Sequence, residues 1–207
     1  MRAKSFILVC VLLAFGLVVS ANAYTYTNSF DSLDGLTAGT GTTIEIDNGT
    51  YMEGTGSVKM SWDSGATSAT SGRGYFDWAL PKDPDLTDAV IKFNVLAPAF
   101  ITTVSLELID AAGEVAEAWY WDMAAFADDV FLEFTVVQGN ASGADTYILG
   151  TGDITNIVAI RFDEVDVVYD GRVYNYWDYL TITSSTIPEP ATILMLTLGG
   201  LLLRRRK

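Results

Sequence analysis

The 207-residue chain has no histidine and one cysteine, Cys10. Without imidazole there is no Ser-His-Asp or Cys-His catalysis, no histidine metal site, and no use of the commonest general base. Cys10 lies in an N-terminal apolar run and not at the end of a lipobox, so neither a disulfide nor lipoprotein anchoring is expected. Bases are scarce as well, 12 Lys and Arg against 26 Asp and Glu. Six of those bases (Arg2, Lys4, Arg204, Arg205, Arg206 and Lys207) and one acid, Glu189, lie in the two terminal segments. The middle of the chain keeps six bases and 25 acids, a net charge of −19. Such a surface repels phosphate, so no nucleic-acid partner is expected.

The termini carry the most specific signals. Arg2 and Lys4 precede an apolar run from Phe6 to Val19, and Ala21-Asn22-Ala23 forms an A-x-A cleavage site. Residues 1–23 therefore read as a signal peptide, leaving Tyr24 as the mature N-terminus. At the other end, Pro188 and Pro190 bar a continuous helix into the tail. Ala191 to Leu203 follows, thirteen residues with only two threonines polar, and then four consecutive cations. As a helix this run spans about 20 Å, short of the ~30 Å hydrocarbon core unless the basic stems snorkel. The cations should stay cytoplasmic, with everything upstream across the membrane.

The order Pro188-Glu189-Pro190, apolar run, Arg204-Arg205-Arg206-Lys207 resembles the PEP-CTERM sorting signal of exported bacterial proteins. The resemblance covers residues 186–207. It implies a transient membrane anchor, recognised near Pro188, Glu189 and Pro190 by an exosortase-type membrane enzyme, with the basic end as the stop-transfer flank. The resulting location is the cell surface or extracellular matrix.

Between the addresses, residues 24–185 are long enough for one domain. Helical periodicity is nearly missing, and two-residue alternation recurs between turn residues. Strands are expected at 43–47, 57–62, 90–96, 103–109, 115–121, 131–137, 157–162, 165–169 and 172–182, with loops at 65–74 and 139–143. Asn48-Gly49 and Asp170-Gly171 are turn signals. The fold class expected is all-β, an antiparallel β-sandwich of jelly-roll type. Asn48-Gly49-Thr50 and Asn140-Ala141-Ser142 match glycosylation sequons, read here as chance matches in a bacterial protein.

Four segments resemble galactose-binding-like jelly rolls, which include many carbohydrate-binding modules: Phe30-Asp31, Gly56-Ser57-Val58-Lys59-Met60, Asp85-Leu86-Thr87 leading into Val90-Ile91-Lys92-Phe93, and Trp177-Asp178-Tyr179-Leu180-Thr181-Ile182. The resemblance implies one structural Ca²⁺ tying the first segment to the last strand through Asp31 and Asp178, with the Asp47-Asn48 turn as a further contributor. Hard oxygen donors suit that ion. Alternation places Asp178 on one face with Leu180 and Ile182. The competing reading is a carboxylate hydrogen-bonded to backbone, to Arg161 or to Arg172.

Carbohydrate-binding domains stack sugars on exposed aromatic rings. Trp119 and Trp121 share one face of a strand at stacking spacing, with Asp122 beside them, and form the candidate glycan site. The competing role for each is core packing. The leading functional reading is a non-enzymatic exported surface or matrix protein that binds extracellular polysaccharide. A purely structural matrix or adhesion protein is the alternative, marked by buried tryptophans and no groove. A glycan-active enzyme would need a carboxylate pair, with Glu107, Glu114, Glu117 and Asp122 as candidates.

Overall fold

A computed structural model describes residues 24–63, 72–81, 86, 88–98, 101–126, 130–166 and 171–184. The expected cleavage site (Ala21, Ala23), the Pro188-Glu189-Pro190 motif and Arg204 to Lys207 lie outside the described residues. Among those described, no helix is long and apolar enough to cross a membrane.

Twelve strands build the domain: β1 (Tyr24–Asn28), β2 (Leu36–Ala38), β3 (Thr42–Asp47), β4 (Ser57–Asp63), β5 (Gly72–Ala79), β6 (Val90–Leu96), β7 (Ile101–Asp110), β8 (Val115–Asp122), β9 (Leu132–Val137), β10 (Thr146–Leu149), β11 (Ile157–Asp166) and β12 (Arg172–Ser184). They pair into two six-stranded sheets. The first runs β3-β4-β12-β6-β9, with β1 also on β12; the second runs β10-β8-β7-β11-β5-β2. The nine ladders that join β2 to β12 are antiparallel, as short connections require. The all-β sandwich expected from alternation is what forms.

The inward faces meet in an aromatic core. Phe93 lies 5.5 to 6.0 Å from the rings of Trp121, Phe134, Phe162 and Trp177, and Phe76 stacks on Phe162 at 5.0 Å. All five tryptophans are buried, Trp119 and Trp177 completely. Trp62 lies flat against the backbone of Gly74, where a Cβ would come within 2.4 Å of the indole. Only glycine allows sheets to approach that closely.

Three local expectations change. Gly72 to Gly74 begin β5 rather than ending a loop, because Gly74, Phe76 and Trp78 alternate inward with Arg73, Tyr75 and Asp77 outward. Val165 continues the long β11 instead of opening a new strand. The turn at Asn48-Gly49 is not a two-residue hairpin: the Asp47 carboxylate accepts from the N–H groups of Gly49 and Thr50 and starts a loop that reaches Gly56.

Candidate functional site

The face of the second sheet turned away from the core carries the largest polar assembly among the described residues. Strand register sets it out in three rows. Asp77, Arg161, Glu107 and Ala118 lie opposite one another across β5, β11, β7 and β8. The next row is Tyr75, Asp163, Ser105 and Tyr120, ending at Thr146 on β10. The third is Arg73, Val165, Thr103 and Asp122. Alternation on five neighbouring strands therefore brings these side chains together from positions up to 92 residues apart.

Two carboxylates lie sunk beneath this layer, Glu107 at 2% and Asp163 at 1% exposure. Arg73 forms an ion pair with Asp163, its Nε donating at 2.6 Å, and reaches Glu107 at 3.4 Å. Arg161 makes a two-pronged contact with Asp77 at 2.7 and 3.1 Å and lies 3.7 Å from Glu107. The Tyr120 hydroxyl donates to Glu107 at 3.0 Å. Tyr75 is held between the Gly39 backbone and the Arg161 guanidinium, which lies 4.3 Å from its ring centroid.

Electrostatics follow from burial. Burial pushes the Asp163 carboxyl up to about 6, against the pull of Arg73 and with the help of the Glu107 charge. Burial and then the Glu107 charge push the Tyr120 phenol up to about 12, so it remains a donor. Both guanidiniums are held above their usual range, chiefly by the hydrogen bonds to Asp163 and Asp77. The result is a fixed lattice of donors and acceptors. One oxygen each of Glu107 and Asp163 has no hydrogen-bond partner among the described residues.

Beyond Tyr120 the face opens into a groove of about 350 Å³, lined by Thr103, Tyr120, Asp122, Asp145 and Thr146 among others. Asp122 is exposed there, accepts from the Ala124 N–H at 2.9 Å and has no ion pair among the described residues.

The proposed stacking pair is corrected. Trp119 and Trp121 share a face, but it is the inward one: they are 0% and 4% exposed, and the Trp119 indole donates to the Asn140 carbonyl at 2.7 Å. Alternation shows which residues share a face and leaves open which face is the core. Beside these tryptophans, Tyr120 and Asp122 turn outward, on the face of Ala118. The catalytic candidates do not assemble either. Glu107 is sealed under the arginines. Glu117, on the inward side, is tied to Gln138 and Gly139, and Glu114 binds Thr151 in an exposed turn.

Asp31 and Asp178 do come together, around the loop between β3 and β4. Asp178 accepts from the N–H groups of Met52 (2.5 Å) and Glu53 (2.9 Å); Asp31 accepts from Thr55 (2.6 Å) and Gly56 (2.9 Å). Burial raises the Asp178 carboxyl, and the nearby Asp31 charge adds to it. Hydrogen bonds from Ser29 and Thr55 lower Asp31. Asp178 does not share the face of Leu180 and Ile182. A bulge at Tyr179 (φ 44°) shifts the alternation, so Trp177 and Leu180 are core while Asp178 pairs with Asn94 on the other side, covered by the loop. For Ca²⁺ the donor type fits and the number falls short. Among the described residues no group of three acidic side chains gathers, so backbone carbonyls would complete the shell.

No family model matches the sequence, and no curated protein matches it. Solved structures do match the fold. A carbohydrate-binding module from the β-sandwich superfamily, described for its promiscuous specificity, superposes with a TM-score of 0.52 at 14% identity, over 76% of this chain and 73% of that one. An exo-beta-agarase gives 0.53 at 14% identity over 76% of this chain and 24% of the agarase chain. This chain thus spans about a quarter of that enzyme. At such identity the likeness is one of fold, a two-sheet β-sandwich shared with a carbohydrate-binding module and with part of an agarase.

Proposed function

We propose that this protein is a non-catalytic, exported polysaccharide-binding protein of the cell surface or extracellular matrix. The observation that carries the reading is the outward face of the second sheet. It holds two guanidiniums, two tyrosines and four carboxylates in fixed rows, over a sheet whose own interior needs none of them. Such a lattice matches sugar hydroxyls, which donate and accept at short intervals, and binding there costs little ordering of side chains. A structural face would be covered by scattered solvated charges rather than buried carboxylates under a cross-linked layer.

Enzymatic action is disfavoured by the same burial. Asp163 has a carboxyl tuned towards the range of a general acid, yet it lies under Arg73, and Glu107 is likewise inaccessible. Neither can reach a glycosidic oxygen. Export and PEP-CTERM sorting, by an exosortase-type enzyme and through a transient membrane helix, rest on the two terminal sequences. Calcium at Asp31 and Asp178 rests on the family resemblance and on the pairing of the two carboxylates.

Affinity electrophoresis against a panel of soluble polysaccharides tests the reading. At least one neutral glycan should retard the protein, and Tyr120→Ala should abolish that retardation without changing the melting temperature by more than a few degrees. Retention of binding in Tyr120→Ala would remove this face as the site. The burial of all five tryptophans favours a second reading, a purely structural matrix protein. That reading predicts no retardation by any glycan.

A further inference from the structure

The opposite surface of the molecule, the outward face of the first sheet, holds a separate assembly with different chemistry. On β12, Tyr174 and Tyr176 project side by side, ring centroids 5.9 Å apart, and Tyr174 is 43% exposed. Opposite them on β4 stand Ser61 and Lys59, in register with Tyr174 and Tyr176. The Lys59 ammonium lies 5.6 Å over the Tyr174 ring and pairs with Glu45 at 3.0 Å. Arg172 closes the end, with Nε and Nη2 both directed at the Ser61 hydroxyl, at 3.3 and 2.9 Å. Together Glu45, Lys59, Ser61, Arg172 and Tyr174 line a groove of about 400 Å³.

Charge sets this groove apart. Its lining holds two cations, Lys59 and Arg172, against one carboxylate, Glu45, a net +1 on a body that carries −19. The groove beside Tyr120 is lined by Asp122 and Asp145 with no base. Lys59, Arg73, Lys92 and Arg161 are each in an ion pair; Arg172 is in none among the described residues. A guanidinium fixed through one hydroxyl keeps the rest of its donor fork available. Carboxylate is the group that fits such a fork with two parallel hydrogen bonds. An exposed tyrosine face two residues away fits the apolar face of a pyranose.

We infer that this groove is a second glycan site, selective for an acidic sugar: a hexuronate whose carboxylate meets Arg172 and whose ring lies against Tyr174. It does not depend on whether the other face binds anything. Local selection survives the acidic body because charges beyond about 8 Å are screened at physiological ionic strength.

Titration calorimetry with trigalacturonate and with its methyl ester tests the inference, since esterification removes the carboxylate charge and leaves the sugar rings unchanged. The acid should bind about tenfold or more tightly than the ester, equivalent to about 1.4 kcal/mol or more. Raising the salt concentration should narrow the gap. Arg172→Ala should equalise the two ligands, and Tyr174→Ala should weaken both. Both groove variants alter exposed groups, and an unchanged melting temperature confirms that they fold. Equal binding of acid and ester, no binding of either, or acid selectivity that survives Arg172→Ala would each overturn it.

Discussion

Glu164 is a wholly buried carboxyl whose ionisation works against this fold as pH rises. It points between the sheets on the face of Ile160 and Phe162, wholly buried, and neither carboxyl oxygen has a hydrogen-bond partner among the described residues. Burial raises its carboxyl well above the ordinary 4.5, and the neighbouring Asn175 amide opposes the rise only in part. The folded state therefore keeps a proton that the unfolded chain releases above about pH 4.5. Stability is complete below that pH and falls as pH rises, by about 1.4 kcal/mol per unit until the folded carboxyl ionises. Denaturant unfolding followed upward from the ordinary carboxylate range should show stability falling as pH rises in the native protein, and a shallower fall in Glu164→Gln, where Asp163 still contributes. Equal slopes would contradict it. Trp119 belongs to the same interior. Trp119→Ala should cost about 3–5 kcal/mol, whereas Trp119→Phe should fold and keep any glycan affinity.

Among the elements, the clasp between the first segment, the loop ending at Gly56 and β12 is the part whose ligand state can be tested directly. Phe30, at φ 54°, turns its ring onto Phe76 and Phe162 and leaves Asp31 outside, facing the loop. Asp178→Ala orphans the Met52 and Glu53 N–H groups, each costing about 1–3 kcal/mol if it stays buried. Millimolar calcium should raise the melting temperature, and the gain should vanish in Asp31→Asn. A melting temperature unmoved by calcium and by chelator would leave a clasp made of N–H donors alone. Much of this element was legible in sequence: Phe30-Asp31 and Trp177-Asp178 marked the right ends, and two-residue alternation marked most strands. The bulge at Tyr179 was not, because one extra residue reverses the facing of Asp178 without changing composition. The inward turn of Trp119 and Trp121 was equally hidden, since a strand with aromatic, polar and acidic residues on both faces does not announce its core side. The rows of the second sheet depended on registers between strands far apart in sequence, and β5 was obscured by its three leading Gly, Arg and Gly residues.

For the molecule as a whole, the terminal sequences and the sandwich make different kinds of claim. The terminal sequences predict processing: mass spectrometry of secreted and membrane-bound protein should find Tyr24 as the mature N-terminus and a C-terminus trimmed near Pro188 to Pro190. An intact Arg204 to Lys207 end on all secreted protein would contradict the sorting proposal. The sandwich carries the proposed recognition by the outward face of the second sheet, where Glu107 and Asp163 are too deeply buried for catalysis. The most direct measurement is a ¹H–¹⁵N correlation spectrum of the 24–184 domain, titrated with whichever neutral glycan retards the protein. Shifts should concentrate at Arg73, Tyr75, Ser105, Glu107, Tyr120 and Asp163. A glycan that shifts none of these, or a complete panel of glycans that shifts nothing, would contradict the account.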